Sequence, residues 1–164
     1  MGISKIRHIK LPVTDVPASA QWYKAVFQLG LRYEFVEQDE VRGVSLVSPD
    51  NTFQIALRNR RYCASRPQLT GFDVVAFGVD DRADLDELAA RCDRPGAVRT
   101  PITEAGGFGT GMDITDPDGT VLRIICESPV APQGFLGVVT GADGYSLYYQ
   151  PRLNLGMTYM DGPA

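Results

Sequence analysis

Hydrophobic and polar positions along this chain follow two periods, and the switch between them happens twice. Two-residue alternation runs through Ile6-Arg7-His8-Ile9-Lys10-Leu11-Pro12-Val13 and again through Phe72-Asp73-Val74-Val75-Ala76-Phe77-Gly78-Val79. Such β-branched and apolar alternation marks strands with one buried face. Each stretch runs into an acid suited to cap a helix, Asp15 in the first and Asp80-Asp81 in the second. The period then becomes helical. Val16, Ala20, Tyr23 and Phe27 recur at helical spacing before Gly30, and Leu85, Leu88, Ala89 and Cys92 form a second stripe before Gly96. A glycine just past an apolar stripe supplies a C-terminal stop. Each stripe predicts a helix laid on a sheet.

Strands resume after each helix. The first set is Leu31 to Glu37, Glu40 to Val47 and Thr52 to Arg58, punctuated by Asp39 and the Ser48-Pro49-Asp50-Asn51 turn. The second is Val98 to Ile102, Thr110 to Thr115 and Thr120 to Glu127, with Asp116-Pro117-Asp118-Gly119 as the matching turn. The pattern is therefore βαβββ written twice, with module one at 3–58, a polar, Arg-containing linker at 59–71 and module two at 72–127. One such unit cannot cover its own sheet, so the two are expected to pair around a shared concavity as one domain over 1–127. Beyond that the pattern stops. Residues 128–164 are rich in Gly, Pro and Tyr, among them Tyr145, Tyr148, Tyr149 and Tyr159. They read as an arm packed on a partner subunit or over the cavity, or as a loose tail with one hairpin.

Composition narrows the function. With 164 residues, 44% of them apolar and 22% charged, the chain suits one ordinary globular domain. A net charge of -4 argues against nucleic acid and anionic membrane as partners, since both want a basic face. A single histidine excludes a poly-histidine zinc or iron site built from one chain. Cys63, Cys92 and Cys126 form no Cys-x-x-Cys pattern and read as reduced thiols buried as small hydrophobes. The start, Met1-Gly2-Ile3-Ser4-Lys5-Ile6-Arg7, lacks an apolar signal core, and no apolar run approaches the roughly 20 residues a membrane span needs. A cytoplasmic location is expected.

Four features in order carry a family resemblance: His8 on a strand leading to Val13-Thr14-Asp15, then Ala18-Ser19-Ala20-Gln21-Trp22-Tyr23, then Leu29-Gly30-Leu31, and finally Asp116-Pro117-Asp118-Gly119 before the last strand. Over roughly residues 3 to 127 the chain resembles the vicinal oxygen chelate superfamily, the group of glyoxalases, bleomycin-resistance proteins and extradiol dioxygenases. The resemblance implies an α+β fold in which two βαβββ modules curl into a half-open barrel, commonly completed as a homodimer. Metal-dependent members hold a divalent ion through ligands at matched positions of both modules.

Placed on that pattern, His8 falls on the first ligand position, and its counterpart in module two is Val74, which cannot coordinate. The last-strand ligand position aligns with Arg123. Its counterpart in module one is Ile55, or Gln54 if the alignment slips by one residue, a slip that exchanges sheet faces. A metal site of this kind needs three or four ligands. Arg123 adds repulsion: two unit charges about 4 Å apart at an effective dielectric near 20 interact by roughly 4 kcal/mol, and a divalent ion doubles that. The expectation is no metal and no cofactor. If a metal is held, His8 would hold it with Gln54, or with acids such as Asp113 or Glu127 that the alignment does not favour.

What remains is a pocket. Val74, Ala76 and Gly78 are expected to form a roomy wall, and Phe53, Ile55 and Leu57 to line the opposite module. His8 and Arg123 supply polar points. Arg123 either salt-bridges outward or anchors a ligand carboxylate, phenolate or phosphate, while Trp22 and Tyr23 read as helix packing. Gly106-Gly107-Phe108-Gly109-Thr110-Gly111 lacks the lysine and helix of a phosphate loop and reads as a flexible β connection at the cavity rim. These features point first to metal-independent binding of a hydrophobic or aromatic small molecule, of the antibiotic- or metabolite-sequestering type. The alternatives are a metal-free isomerase, cyclase or lyase with His8 as catalytic acid/base, a divalent-metal-dependent glyoxalase-like lyase or dioxygenase with altered ligands, and a structural subunit dominated by the tail.

Overall fold

The computed structural model describes residues 2, 4–105, 107–142 and 144–153. Gly106 of the glycine-rich stretch and Tyr159 of the tail lie outside these residues. The first half contains β1 (Ile9–Val13), α1 (Val16–Phe27), β2 (Gly30–Glu37), β3 (Glu40–Val47) and β4 (Gln54–Asn59). The second contains β5 (Asp73–Val79), α2 (Arg82–Asp93), β6 (Val98–Arg99), β7 (Thr103–Glu104), β8 (Gly109–Thr115) and β9 (Val121–Glu127). The sheets have the same plan. The first is ordered β1-β4-β3-β2 and the second β5-β9-β8-β6, with β7 also on β8. In each, the opening strand runs parallel to the last and the others are antiparallel. This is the expected mixed α+β architecture of two βαβββ units. Among the described residues no ladder joins the two sheets, so the barrel stays open.

Both helices start where an aspartate meets a free backbone donor. Asp15 accepts from the Ala18 amide and Asp81 from the Asp84 amide, each at 2.9 Å. Their ends differ. Gly96, at φ 69°, follows α2, but α1 is ended by Gln28 in the left-handed region at φ 57°, and Gly30 instead opens β2. The expected strand over 98–102 is broken into β6 and β7, both paired to β8. Pro101, which lacks an N–H, lies in the gap, and Thr100 bridges it by donating its amide to the Asp113 carbonyl at 2.9 Å. Gly109 and Gly111 are not a loose connection. They are residues of β8, opposite Glu127 and Ile125 of β9.

The core forms two interlocked clusters. One gathers Leu11, Val13, Tyr23, Ile55 and Leu57 of the first half and takes in Leu122 of β9. The other gathers Leu85, Leu88, Met112, Ile114 and Ile124 of the second half and takes in Val26 of α1. Trp22, Phe27 and Phe77 pack against both. Beyond β9, β10 (Gly137–Gly141) and β11 (Gly144–Tyr148) make a separate hairpin. Phe135 and Tyr145 lie against Phe108 at ring-centroid distances of 5.3 and 5.4 Å. Among the described residues no helix is long and apolar enough to cross a membrane.

Candidate functional site

A cleft of about 730 Å³ opens between the edge of the first sheet and the edge of the second. One side is the segment from Ile6 to Ile9 with Phe53 and Gln54; the other is β5 from Val75 to Val79 and the inner flank of α2. Its aromatic part comes from both halves, because Phe53 and Phe77 pack with ring centroids 5.3 Å apart. His8 is exposed on the same cleft. Among the described residues its imidazole has no hydrogen-bond partner.

Of the residues singled out in the sequence, the structure brings His8, Phe53, Gln54 and Ala76 to this cleft, with Gly78 beside them. Ile55 and Leu57 are not there. They are 0% and 1% exposed, on the face of β4 packed in the first core cluster. Period-2 alternation explains this: once Ile55 faces the core, Leu57 must too, and Phe53 reaches the cleft because it precedes the strand. Val74 is likewise packed against the core rather than on the cleft. The register of β5 on β9 shifts between Asp73 and Val75, and such an irregularity removes Val74 from the series of Ala76 and Gly78.

Arg123 sits between buried Leu122 and Ile124, so it leaves β9 on the face away from the core. There it is held on both sides. It donates to Asp113 through Nε at 2.9 Å and Nη2 at 3.2 Å, and its Nη1 lies 2.9 Å from Asp73 Oδ2. The Asp113 hydrogen bond and charge, with Asp73 behind them, raise its guanidinium pKa still further. It lines a second hollow of about 400 Å³ with Thr100, Thr103, Phe108 and Ile125, apart from His8. The expected pairing of His8 with Arg123 in one pocket is not formed.

The donor set does not fit the divalent metal of the metal-dependent relatives. His8 is joined on the cleft by Gln54, whose Oε1 accepts from Ser45 Oγ at 3.3 Å. The last-strand position carries a cation bound to two carboxylates. Among the described residues no three His, Cys, Asp or Glu side chains are grouped to hold an ion.

Sequence reasoning treated the cleft as mainly apolar and missed its charge. Asp80, Asp84 and Glu87 are exposed at its rim, and Arg7 and Arg91 also line it. Asp50 completes the carboxylates, held below the usual range by hydrogen bonds from Ser48 first and then Thr52 within its own turn. A signal was present in the sequence. Asp84, Leu88 and Arg91 are spaced i, i+4, i+7 and share one flank of α2.

Residues 5–124 match the model of the family described as the Glyoxalase/Bleomycin resistance protein/Dioxygenase superfamily. No curated protein matches the chain. Among solved structures it is similar to a glyoxylase/bleomycin resistance protein/dioxygenase domain from Frankia sp. EAN1pec, at 24% identity and a TM-score of 0.67, over 78% of this chain and 95% of that one. It is similar to TnmS3, an antibiotic binding protein from Streptomyces sp. CB03234, at 19% identity and a TM-score of 0.65, over 78% and 99%. The fosfomycin resistance protein FosX from Listeria monocytogenes shares 18% identity at a TM-score of 0.61, over 78% and 97%. At these identities the likeness is one of fold.

Proposed function

Starting from the fact that this chain belongs to the Glyoxalase/Bleomycin resistance protein/Dioxygenase superfamily, we propose that it binds an aromatic small molecule in the cleft between its two halves, sequestering it without a metal. The observation that carries this reading is the Phe53–Phe77 pair, supplied by both modules at the cleft and flanked by exposed His8. Aromatic faces at 5 to 6 Å give stacking surface, and a few polar groups then fix orientation. A fold neighbour described as an antibiotic binding protein supports a sequestering role, and neighbours described as fosfomycin resistance proteins support a resistance role.

Binding is favoured over acid–base catalysis by the state of His8. A general base is normally oriented by a group that sets its tautomer, and His8 has no such partner among the described residues. A homodimer is part of the proposal. Every residue of β2 is exposed, including Leu31, Tyr33, Phe35 and Val36, and a second copy of the chain is the partner that would cover them. The deciding experiment is native mass spectrometry of protein purified without chelator, combined with elemental analysis. A stoichiometric organic adduct without stoichiometric metal supports the proposal; stoichiometric divalent metal overturns it.

A further inference from the structure

Among the described residues three arginines have an Nε that is out of solvent and without a hydrogen-bond partner: Arg42, Arg60 and Arg91. For two of them the guanidinium is engaged through its other nitrogens. Arg42 donates to Gln38 at 2.6 Å and to Glu37 at 3.4 Å, and Arg60 donates to Asp118 at 2.6 Å. Arg91 has no hydrogen bond and no ion pair among the described residues. Its helix can form such a pair, since Arg82 donates to Asp86 across one turn at 3.0 Å. Glu87 stands at the same i, i+4 spacing from Arg91, in the favourable acid-first order, yet no ion pair forms between them. Arg91 instead contributes to the wall of the cleft.

A donor kept from solvent without a partner is unfavourable, so it is poised for an acceptor that arrives with a ligand. A guanidinium presents a planar fork that matches the two oxygens of a carboxylate. We propose that Arg91 is the anion anchor of this cleft and that the ligand class is an aromatic carboxylate, an inference that rests on the cleft being the binding site. The carboxylates at the rim do not cancel Arg91. Asp80, Asp84 and Glu87 are exposed, where water and salt screen them. Arg91 is half-buried with its Nε out of solvent, so it is screened less than they are. Arg123, the cation first suggested by the sequence, has its fork already taken by Asp113.

The test compares 2-naphthoate with the neutral 2-naphthalenemethanol, by calorimetric titration of the full chain, its Arg91→Gln variant and its Arg123→Gln variant. In the unaltered protein the carboxylate should bind about ten-fold tighter, the value of one charge-assisted hydrogen bond. Arg91→Gln should abolish that preference, with an unfolding midpoint equal to that of the unaltered chain showing that the variant is folded. Arg123→Gln should keep the preference. Equal binding of both probes to the unaltered protein overturns the anchor but leaves the cleft reading intact. A preference retained in Arg91→Gln, or lost in Arg123→Gln, also overturns the anchor. Failure of both probes to bind the unaltered protein overturns the cleft reading and the anchor together.

Discussion

Tyr23 and Asp116, 93 positions apart, meet inside the molecule: the phenol on α1 donates to Asp116 Oδ2 at 3.0 Å, with both residues buried. The other oxygen of Asp116 accepts from the amides of Asp118 and Thr120 at 2.9 and 2.8 Å. The next acid of the turn, Asp118, accepts from the Thr14 amide and from Arg60 Nη2. The Asp116-Pro117-Asp118-Gly119 turn of the second half is thus fastened to the first helix, the end of the first strand and the linker. This clasp ties the two halves together.

Asp116→Ala should therefore destabilise the fold strongly. It orphans the Tyr23 hydroxyl and two amides, and each buried unsatisfied donor costs about 1–3 kcal/mol. A loss of about 3 kcal/mol or more is expected in urea unfolding. A loss below about 1 kcal/mol would show that the clasp is not needed.

The same residue gives a pH signature. Burial, as the largest cause, holds the Asp116 carboxyl above the usual carboxylate range. The folded state therefore binds that proton more tightly than the unfolded chain, whose carboxyl titrates at about 3.9. A raised folded pKa contributes stability that is fully present below the unfolded value and is lost as pH rises through the folded one. Asp116→Asn cannot titrate. Measured from pH 7 down toward 4, the stability of the unaltered protein relative to Asp116→Asn should rise. A flat or falling difference refutes the shift.

How much of this was legible in the sequence depends on range. The α2 stripe of Leu85, Leu88, Ala89 and Cys92 is buried as its spacing requires, because helical periodicity is local. The clasp was not legible, since nothing in the Asp116-Pro117-Asp118-Gly119 turn says that its acids reach Tyr23 and Thr14. Site residues suffered from the same limit. A register shift in β5 takes Val74 off the cleft and packs it against the core, and face alternation places Ile55 and Leu57 within the core. Arg91 was hidden in a helix whose apolar stripe explained it already.

Binding itself should depend on the ring at position 53 and not on added metal. Phe53→Leu keeps most of the apolar bulk and removes stacking, which is worth about 0.5–1.5 kcal/mol. The affinity for 2-naphthoate should fall by about three- to ten-fold in the same calorimetric titration. Excess chelator should leave the affinity of the unaltered protein unchanged. A large loss on chelation would overturn the metal-independent reading.

Gly109 should resist substitution for a backbone reason. Its φ is 139°, and a Cβ there would lie 2.1 Å from the Cys126 carbonyl oxygen and 2.9 Å from Glu127 Cα. The obstruction is main chain of the paired strand, which cannot rotate aside. Gly109→Ala should lower stability by about 2–4 kcal/mol, seen as a fall in Tm. By contrast, Gly30→Ala meets nothing within 4 Å and has no positive φ, so it should leave Tm nearly unchanged.

The exposed strand β2 makes the strongest claim about assembly. It is an edge strand of eight residues, with Leu31 and Val36 58% and 57% exposed and Phe35 47% exposed. A long apolar edge left bare is an aggregation hazard that natural proteins avoid by covering it. A groove of about 290 Å³ continues the patch, lined by Val16, Ala20, Leu29, Leu31 and Val41. Each large side chain fully covered contributes about 1.5–3 kcal/mol, so a few of them suffice to drive association. Light scattering of the unaltered chain at micromolar concentration should give the mass of a dimer. Leu31→Glu and Phe35→Glu should each give a monomer that stays folded, because neither residue belongs to the core clusters, with an unfolding midpoint below that of the dimer and independent of protein concentration. A monomeric mass for the unaltered chain would remove the dimer from the proposal.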